Sequence, residues 1–495
     1  MYLSYYLFKL DPLLSIKKNL AYNFLLSASQ VLLPLISIPY ISRVLTPEGI
    51  GRVSFIDSFT WYFISIAEFG IVVYGMREVA RQRNNNEERG KLVSELLALH
   101  VVSSALALVL YFVAVFLLWN KIQDIRLLLF SLSFLLVNFF ACEWYFLGME
   151  RFKYLTLRSL LTRLLGLFSI FILIKSPDDY FLYYAITVVA AIVNSLWNNY
   201  LLFKEVPVSF KKVNWKKHIV HTRVTYLISL LYGVTLMLDN VLLRLASTAT
   251  AVGYYAFSMK IARTSSLLLT DSLLVFFPRI VSLIKEGTQS EVQQVVKRNL
   301  QLLIFFGVPL CTGLFLLAEP LVIVFLGPQF IPAVIDLRLL AFFPFLKMYN
   351  LFLSKQLLIA HNQEKLYVRS LAAGSLLFVV GTLLLSYYFA DVGACIAILV
   401  SETVTLLLNG YYARKTVPYV PLFDSKSFWQ ACAGVAIFIP AVYFIQQVAG
   451  SPLTVLLVSV FFCFAAYMAL QGFVLKNEFT LIIRSTINRY IGKKL

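Results

Sequence analysis

Glu95 to Trp119 reads ELLALHVVSSALALVLYFVAVFLLW, twenty-five residues with one acid at the start and no lysine or arginine. About 20 such residues suffice to cross the hydrocarbon layer as a helix. The run is far longer than the 9 to 11 residue strand of a membrane barrel and does not alternate, so a spanning helix is expected here.

Working outward, comparable apolar runs lie near 19–41, 53–75, 125–147, 155–174, 180–203, 221–245, 250–277, 299–325, 333–360, 367–389, 392–413, 428–447 and 452–475. With the first run they predict fourteen spans. The narrowest division is Ala390-Asp391, which alone parts two of them. Composition agrees: 60% of the 495 residues are AVILMFWYC and 14% are charged, against about 45–50% and 25% in soluble domains. Met1 to Asn19 has no small-residue cleavage pattern before Lys17-Lys18, so the first span is expected to be retained.

A net charge of +18 could signal nucleic-acid binding, but the cations sit in short segments between apolar runs, as topology signals do. Segments on the N-terminal side hold thirty lysines and arginines. Those on the other side hold five: Arg43, Arg52, Lys121, Arg126 and Lys175. The positive-inside rule then puts both termini in the cytoplasm. Inter-span segments are short, the longest being the loop expected around Pro278 to Arg298, which excludes an extramembrane catalytic domain.

Two stretches resemble each other. Ile41-Ser42-Arg43-Val44-Leu45, Gly51, Phe69-Gly70 and Arg77 match Leu242-Leu243-Arg244-Leu245-Ala246, Gly253, Phe276-Phe277 and Arg279, about six spans later. An even number of spans preserves orientation, so these are parallel repeats. The expected architecture is an all-α polytopic membrane protein with a six-helix lobe over 1–210, a second over 211–415, and an additional helix pair and tail over 416–495. A cavity between the lobes would suit alternating access.

Ionisable residues within spans are Asp57, Glu68, Glu143, Arg163, Asp239, Arg244, Lys260, Arg263, Asp271, Glu319, Arg338, Lys347, Lys355 and Glu402. Facing hydrocarbon they would be costly, so they line a watery interior or form internal ion pairs; Arg244, Arg338 and Glu68 read as boundary residues that snorkel. Lys260 and Arg263 share one helix face, and Lys347 and Lys355 another. Net positive charge in a cavity suggests an anionic cargo. Asp239 and Glu143 read as charge-compensating or ion-binding acids. Pro34 and Pro39, Gly307 and Pro309, and Pro344 are expected to interrupt or bend their spans. The five cysteines show no CxxC spacing, and Walker, HExxH and GxSxG motifs are absent, so no metal, cofactor or catalytic residue is expected.

Several blocks together resemble the polysaccharide flippase family, the O-antigen and repeat-unit transporters of the multidrug/oligosaccharidyl-lipid/polysaccharide exporter superfamily. They are Pro39-Tyr40-Ile41-Ser42-Arg43-Val44-Leu45 with Gly49 and Gly51, Phe69-Gly70-Ile71, Gly75-Met76-Arg77-Glu78, and Glu143-Trp144-Tyr145-Phe146-Leu147-Gly148-Met149-Glu150-Arg151-Phe152. Asp239, Val252-Gly253-Tyr254-Tyr255, Lys260-Ile261 and Phe277-Pro278-Arg279 follow. Thr46-Pro47 and Asp391-Val392-Gly393-Ala394 depart from the family pattern.

The resemblance implies a flippase, not an enzyme, that carries undecaprenyl-diphosphate-linked oligosaccharide to the periplasmic leaflet of the bacterial inner membrane. It implies membrane lipids as surroundings and allows a polysaccharide polymerase and a chain-length regulator as partners. Lys260, Arg263, Lys347 and Lys355 would hold diphosphate or acidic sugar. Arg43 and Arg77 either shape gates at opposite faces or are helix-end topology charges. The competing readings are a cation-coupled multidrug exporter and a peptidoglycan lipid precursor flippase.

Overall fold

A computed structural model describes residues 12–480 except 123, 212, 275, 478 and 479. Lys9, Lys212, Arg484, Arg489, Lys493 and Lys494, all counted toward the N-terminal side, lie outside the described residues, as do the side chains of Lys17, Lys18 and Asp271.

All regular structure among the described residues is helical. The elements begin α1 Pro12–Val44, α2 Pro47–Glu68, α3 Ile71–Arg81, α4 Asn86–Leu117, α5 Trp119–Ile122, α6 Ile125–Asn138, α7 Glu143–Gly148, α8 Phe152–Leu173, α9 Tyr180–Glu205, α10 Lys216–Met237 and α11 Asp239–Ala246. They continue α12 Ala249–Leu274, α13 Phe277–Glu286, α14 Gln289–Leu316, α15 Ala318–Phe325, α16 Ala333–Leu340, α17 Phe343–Leu351, a π-helical turn Phe352–Leu358, α18 Glu364–Thr416, α19 Ser425–Val435, α20 Phe438–Val448 and α21 Pro452–Ala469.

Hydrocarbon leaves no water for the backbone, so helices satisfy their own amides. Among the described residues eight are long and apolar enough to cross a membrane, or ten when each of two bent pairs counts as one span. The chain forms two compact units, Met1–Arg244 and Leu245–Leu495.

In the first unit α1 packs on α8, α2 on α4 and α6, α3 on α7, and α9 on α6 and α8. The connections gather at two ends. At one, Tyr40 donates to the Ile174 carbonyl at 2.6 Å and Arg126 to Tyr180 at 3.0 Å. At the other, Arg151 pairs with Glu205, and the Ser209 amide donates to Ser94 at 3.0 Å. The segment after α9 lies along the start of α4, and α10 packs on α2 and α3 within this unit.

The second unit opens with the succession that α2 to α4 show in the first: a threonine cap, a long helix, a short amphipathic helix, a long helix. Thr46 accepts from the Gly49 amide and Thr248 from the Ala251 amide, both at 3.2 Å. Thr46-Pro47, off the family pattern, is thus a capped start with proline in the first turn, where its missing amide costs nothing.

Several expectations change. The 53–75 run is not one straight span: Phe69 and Gly70 both have positive φ, and α2 and α3 meet at 42°. Pro34 and Pro39 lie inside α1 without ending it, because the membrane-type helix tolerates the carbonyls they release. Pro309 likewise lies inside α14, while Pro344 opens α17 in its first turn. The expected loop at 278–298 is mostly helix: α13 buries Ile280 and Leu283, exposes Arg279, and ends at Gly287 with φ 74°.

The narrow division at Ala390-Asp391 is a hairpin. Ala390 takes φ 50° and ψ −126°, outside helical values, and α18 folds back on itself there. Ser401 Oγ donates to the Gly374 carbonyl at 2.7 Å, and a Cβ at Gly381 would sit 3.4 Å from that of Ala397. At Gly393 a Cβ would run into the Leu385 carbonyl, so only glycine permits so tight a return.

Candidate functional site

The cations selected from sequence lie within the second unit on adjoining helices. α12 carries Lys260 and Arg263 and packs on α17, which carries Lys347; Lys355 follows in the π-helical turn. All four side chains are partly buried. Widened turns of this kind occur often at functional positions because they turn a side chain away from the helical register.

Lys347 is already engaged. Its ammonium donates to Glu402 Oε1 at 2.7 Å. Asn350 donates to Glu402 Oε2 at 2.8 Å and to its carbonyl at 2.9 Å, and Asn409 donates to Asn350 at 3.1 Å. This chain of partners neutralises Glu402 inside the protein. Lys355 forms no ion pair among the described residues.

The acids considered for ion binding separate likewise. Glu143, at the start of α7, accepts from buried Arg158 at 3.2 Å; Arg158 also donates to Asn198, which accepts from Tyr154 at 2.9 Å. Glu143 is thus one end of a fixed ion pair. Asp239 is buried and accepts from the Asn240 amide at 2.8 Å. Arg163 donates to Ser29 at 2.7 Å, tying α8 to α1.

Arg43 and Arg77 fall at opposite ends of the first unit, both exposed. Arg43 donates to the Pro39 carbonyl at 2.6 Å, and Arg77 to Glu78 at 3.1 Å while its guanidinium lies 5.5 Å from the Tyr74 ring.

Two motif blocks of the sequence meet each other. A Cβ at Gly75 would lie 2.8 Å from the Trp144 ring, and one at Gly148 would lie 2.7 Å from the Met76 carbonyl. Arg83 then bridges the blocks, donating to the Gly148 carbonyl at 2.9 Å and pairing with Glu150 at 2.9 Å. Their glycines are there for close helix approach.

The same end holds a group that sequence reasoning missed. Buried Glu95 accepts from Lys217 at 2.7 Å and pairs with His218 at 3.0 Å. The other ring nitrogen of His218 lies 2.9 Å from the Tyr74 hydroxyl. These groups border an open cavity of about 370 Å³. The signal available was weak: Glu95 reads as the polar start of a span, and its partners lie more than a hundred residues away. In the second unit Phe305, Pro309, Val442, Phe464 and Tyr467 line an apolar groove of about 350 Å³.

The family model described as "Polysaccharide biosynthesis protein" matches residues 16–284. The chain is 25% identical over 415 residues to a candidate O-antigen transporter of Escherichia coli (strain K12), covering 81% of this chain and 97% of the relative. It is 24% identical over 395 residues to a candidate O-antigen transporter of Shigella dysenteriae, covering 79% and 98%. Among solved structures, the lipid II flippase MurJ in an inward closed conformation superposes with a TM-score of 0.68 at 13% identity, over 95% of this chain and 99% of that one. An inward-facing multidrug resistance MATE transporter gives 0.61 at 14%, over 79% and 94%. At those identities the two structures speak for the fold alone. The family match runs through the capped α1–α2 break, the interlocked glycines of α3 and α7, and α13, and the chain belongs to the polysaccharide biosynthesis protein family.

Proposed function

We propose that the protein is a flippase that moves undecaprenyl-diphosphate-linked oligosaccharide repeat units from the cytoplasmic to the periplasmic leaflet of the bacterial inner membrane by alternating access. The observation that carries this reading is the near full-length similarity to two candidate O-antigen transporters, which runs through both units. The partly buried Lys260, Arg263 and Lys355 support an anionic cargo, since a desolvated diphosphate seeks charge-assisted donors. Lys347 contributes through its pair with Glu402. The apolar groove offers a surface for hydrocarbon.

The finer arrangement belongs to the same reading. It comprises fourteen spans with both termini cytoplasmic, two six-helix lobes related as parallel repeats over 1–210 and 211–415, and an additional pair over 416–495. A polysaccharide polymerase and a chain-length regulator are the partners such a cargo calls for.

The test is reconstitution. Vesicles containing the protein should move a fluorescent undecaprenyl-diphosphate oligosaccharide between leaflets faster than protein-free vesicles. Movement of organic cations or of lipid II in place of that cargo would establish the multidrug or peptidoglycan-precursor alternative instead.

A further inference from the structure

The first unit gathers four cations from distant stretches around one open cavity of about 460 Å³: Arg52 of α2, Lys121 of α5, Arg126 of α6 and Arg244 of α11. Asp124 is the one carboxylate among the lining residues. Tyr180 is the hub. Its hydroxyl donates to Asp124 Oδ2 at 2.5 Å and accepts from Arg126 at 3.0 Å and Arg52 at 3.4 Å. The Arg126 guanidinium lies 4.4 Å from the Phe181 ring centroid, and Arg244 donates to the Lys121 carbonyl at 3.3 Å. Glu48, just outside, pairs with Arg52 at 2.6 Å.

A purely structural cluster would balance its charge. Here four cations line the open volume against one lining carboxylate, and the Lys121 ammonium forms no ion pair among the described residues. The rings and the tyrosine hydroxyl hold the guanidinium planes in place, so little side-chain freedom is lost when an anion arrives. A volume of this size suits a small ligand, with room for more than one phosphate.

The placement matters as well. Only five cations fell in the segments assigned to the outer side, and three of them, Arg52, Lys121 and Arg126, line this one cavity. Topology signals avoid that side. Their concentration at one place is what a binding role requires and what a topology role does not. Arg244, read from sequence as a snorkelling boundary residue, completes the ring.

We infer that this cavity is an anion-binding site for the diphosphate headgroup of the lipid-linked cargo as it arrives in the outer leaflet. The inference rests on the flippase reading and on the positive-inside orientation. Guanidinium forks engage phosphate oxygens two at a time, and the Lys121 ammonium adds a point charge. An anionic phospholipid headgroup shares this chemistry and is the rival source.

The experiment uses the full-length protein in nanodiscs of phosphatidylcholine, titrated calorimetrically with inorganic pyrophosphate and geranyl diphosphate, and by native mass spectrometry with phosphatidylglycerol. R126Q/R244Q should weaken both diphosphates by about tenfold or more, the wild-type affinity should fall with added salt, and exposed K153Q should bind as wild type. Equal affinity in the double variant overturns the proposal. So does a wild type that retains phosphatidylglycerol but binds neither diphosphate. Should the double variant fail to fold, K121Q, whose ammonium has no ion pair among the described residues, must still cost about threefold. The vesicle assay separates the two claims. Flipping without diphosphate binding removes this site alone, whereas binding without flipping leaves the site and removes the flippase reading.

Discussion

The Lys347 ammonium lies 2.7 Å from Glu402 Oε1, and the Glu402 side chain is 5% exposed. Attraction between these charges is set against the loss of water around both, and removing one partner leaves the other buried without compensation. Glu402→Gln should therefore destabilise the protein by about 3–5 kcal/mol, whereas the double change Lys347→Met with Glu402→Leu should recover most of that loss. Thermal unfolding in detergent reads both. A single variant that melts like wild type would show the pair to be dispensable.

Lys260, Arg263 and Lys355 are the partly buried cations on which the cargo-binding proposal stands. Changing the three to glutamine should slow flipping in vesicles by about tenfold or more while membrane insertion and melting stay close to wild type. Unchanged flipping would remove them from the binding site.

The glycines of the α3–α7 contact are predicted to tolerate no side chain. Gly148→Ala meets a backbone oxygen that cannot move aside, and should cost about 1–3 kcal/mol. Gly313→Ala, with nothing within 4 Å of the new methyl, should be neutral or stabilising by up to about 1 kcal/mol. Melting temperatures of the two variants should move in opposite directions or differ in size accordingly.

At the α18 hairpin, Ala390 holds a positive φ that glycine adopts freely. Ala390→Gly should raise stability by about 1 kcal/mol, and Gly393→Ala should lower it and reduce the yield of folded protein. A less stable Ala390→Gly variant would contradict the strained return.

Asp124 makes the cation cavity pH-sensitive. Burial pushes its carboxyl up, but hydrogen bonds from Tyr180, Arg126 and the Leu127 amide outweigh that and hold it below its ordinary value of 3.8. A depressed carboxyl contributes stability that is fully present above its ordinary value and is lost as pH falls through the lowered one. Stability should be insensitive to this group from pH 7 to about 4 and decline below. Asp124→Asn should flatten that acid limb; an unchanged limb would mean that Asp124 does not titrate with unfolding.

Much of the helical pattern was legible along the chain. The hairpin lies where Ala390-Asp391 alone interrupted an apolar run, because a break that short leaves room only for a tight return. Threonine caps stand at Thr46 and Thr248, shortly after Arg43 and Arg244, since capping is local and needs only a side chain three residues from its amide. The short amphipathic α13 was missed because its charges, counted as a loop signal, lie on one face of a helix.

Membrane residence and helical structure were determined by the sequence itself. Backbone amides in hydrocarbon must be satisfied within the segment, and each run carries its own length and flanking charge. Only the tertiary structure decided which ionised groups compensate one another. Lys347 finds Glu402, Glu95 finds Lys217, and Arg52, Lys121, Arg126 and Arg244 converge on one cavity across nearly two hundred residues. Electrostatic attraction and hydrogen bonding act through space, at distances set by helix packing that no local spacing records.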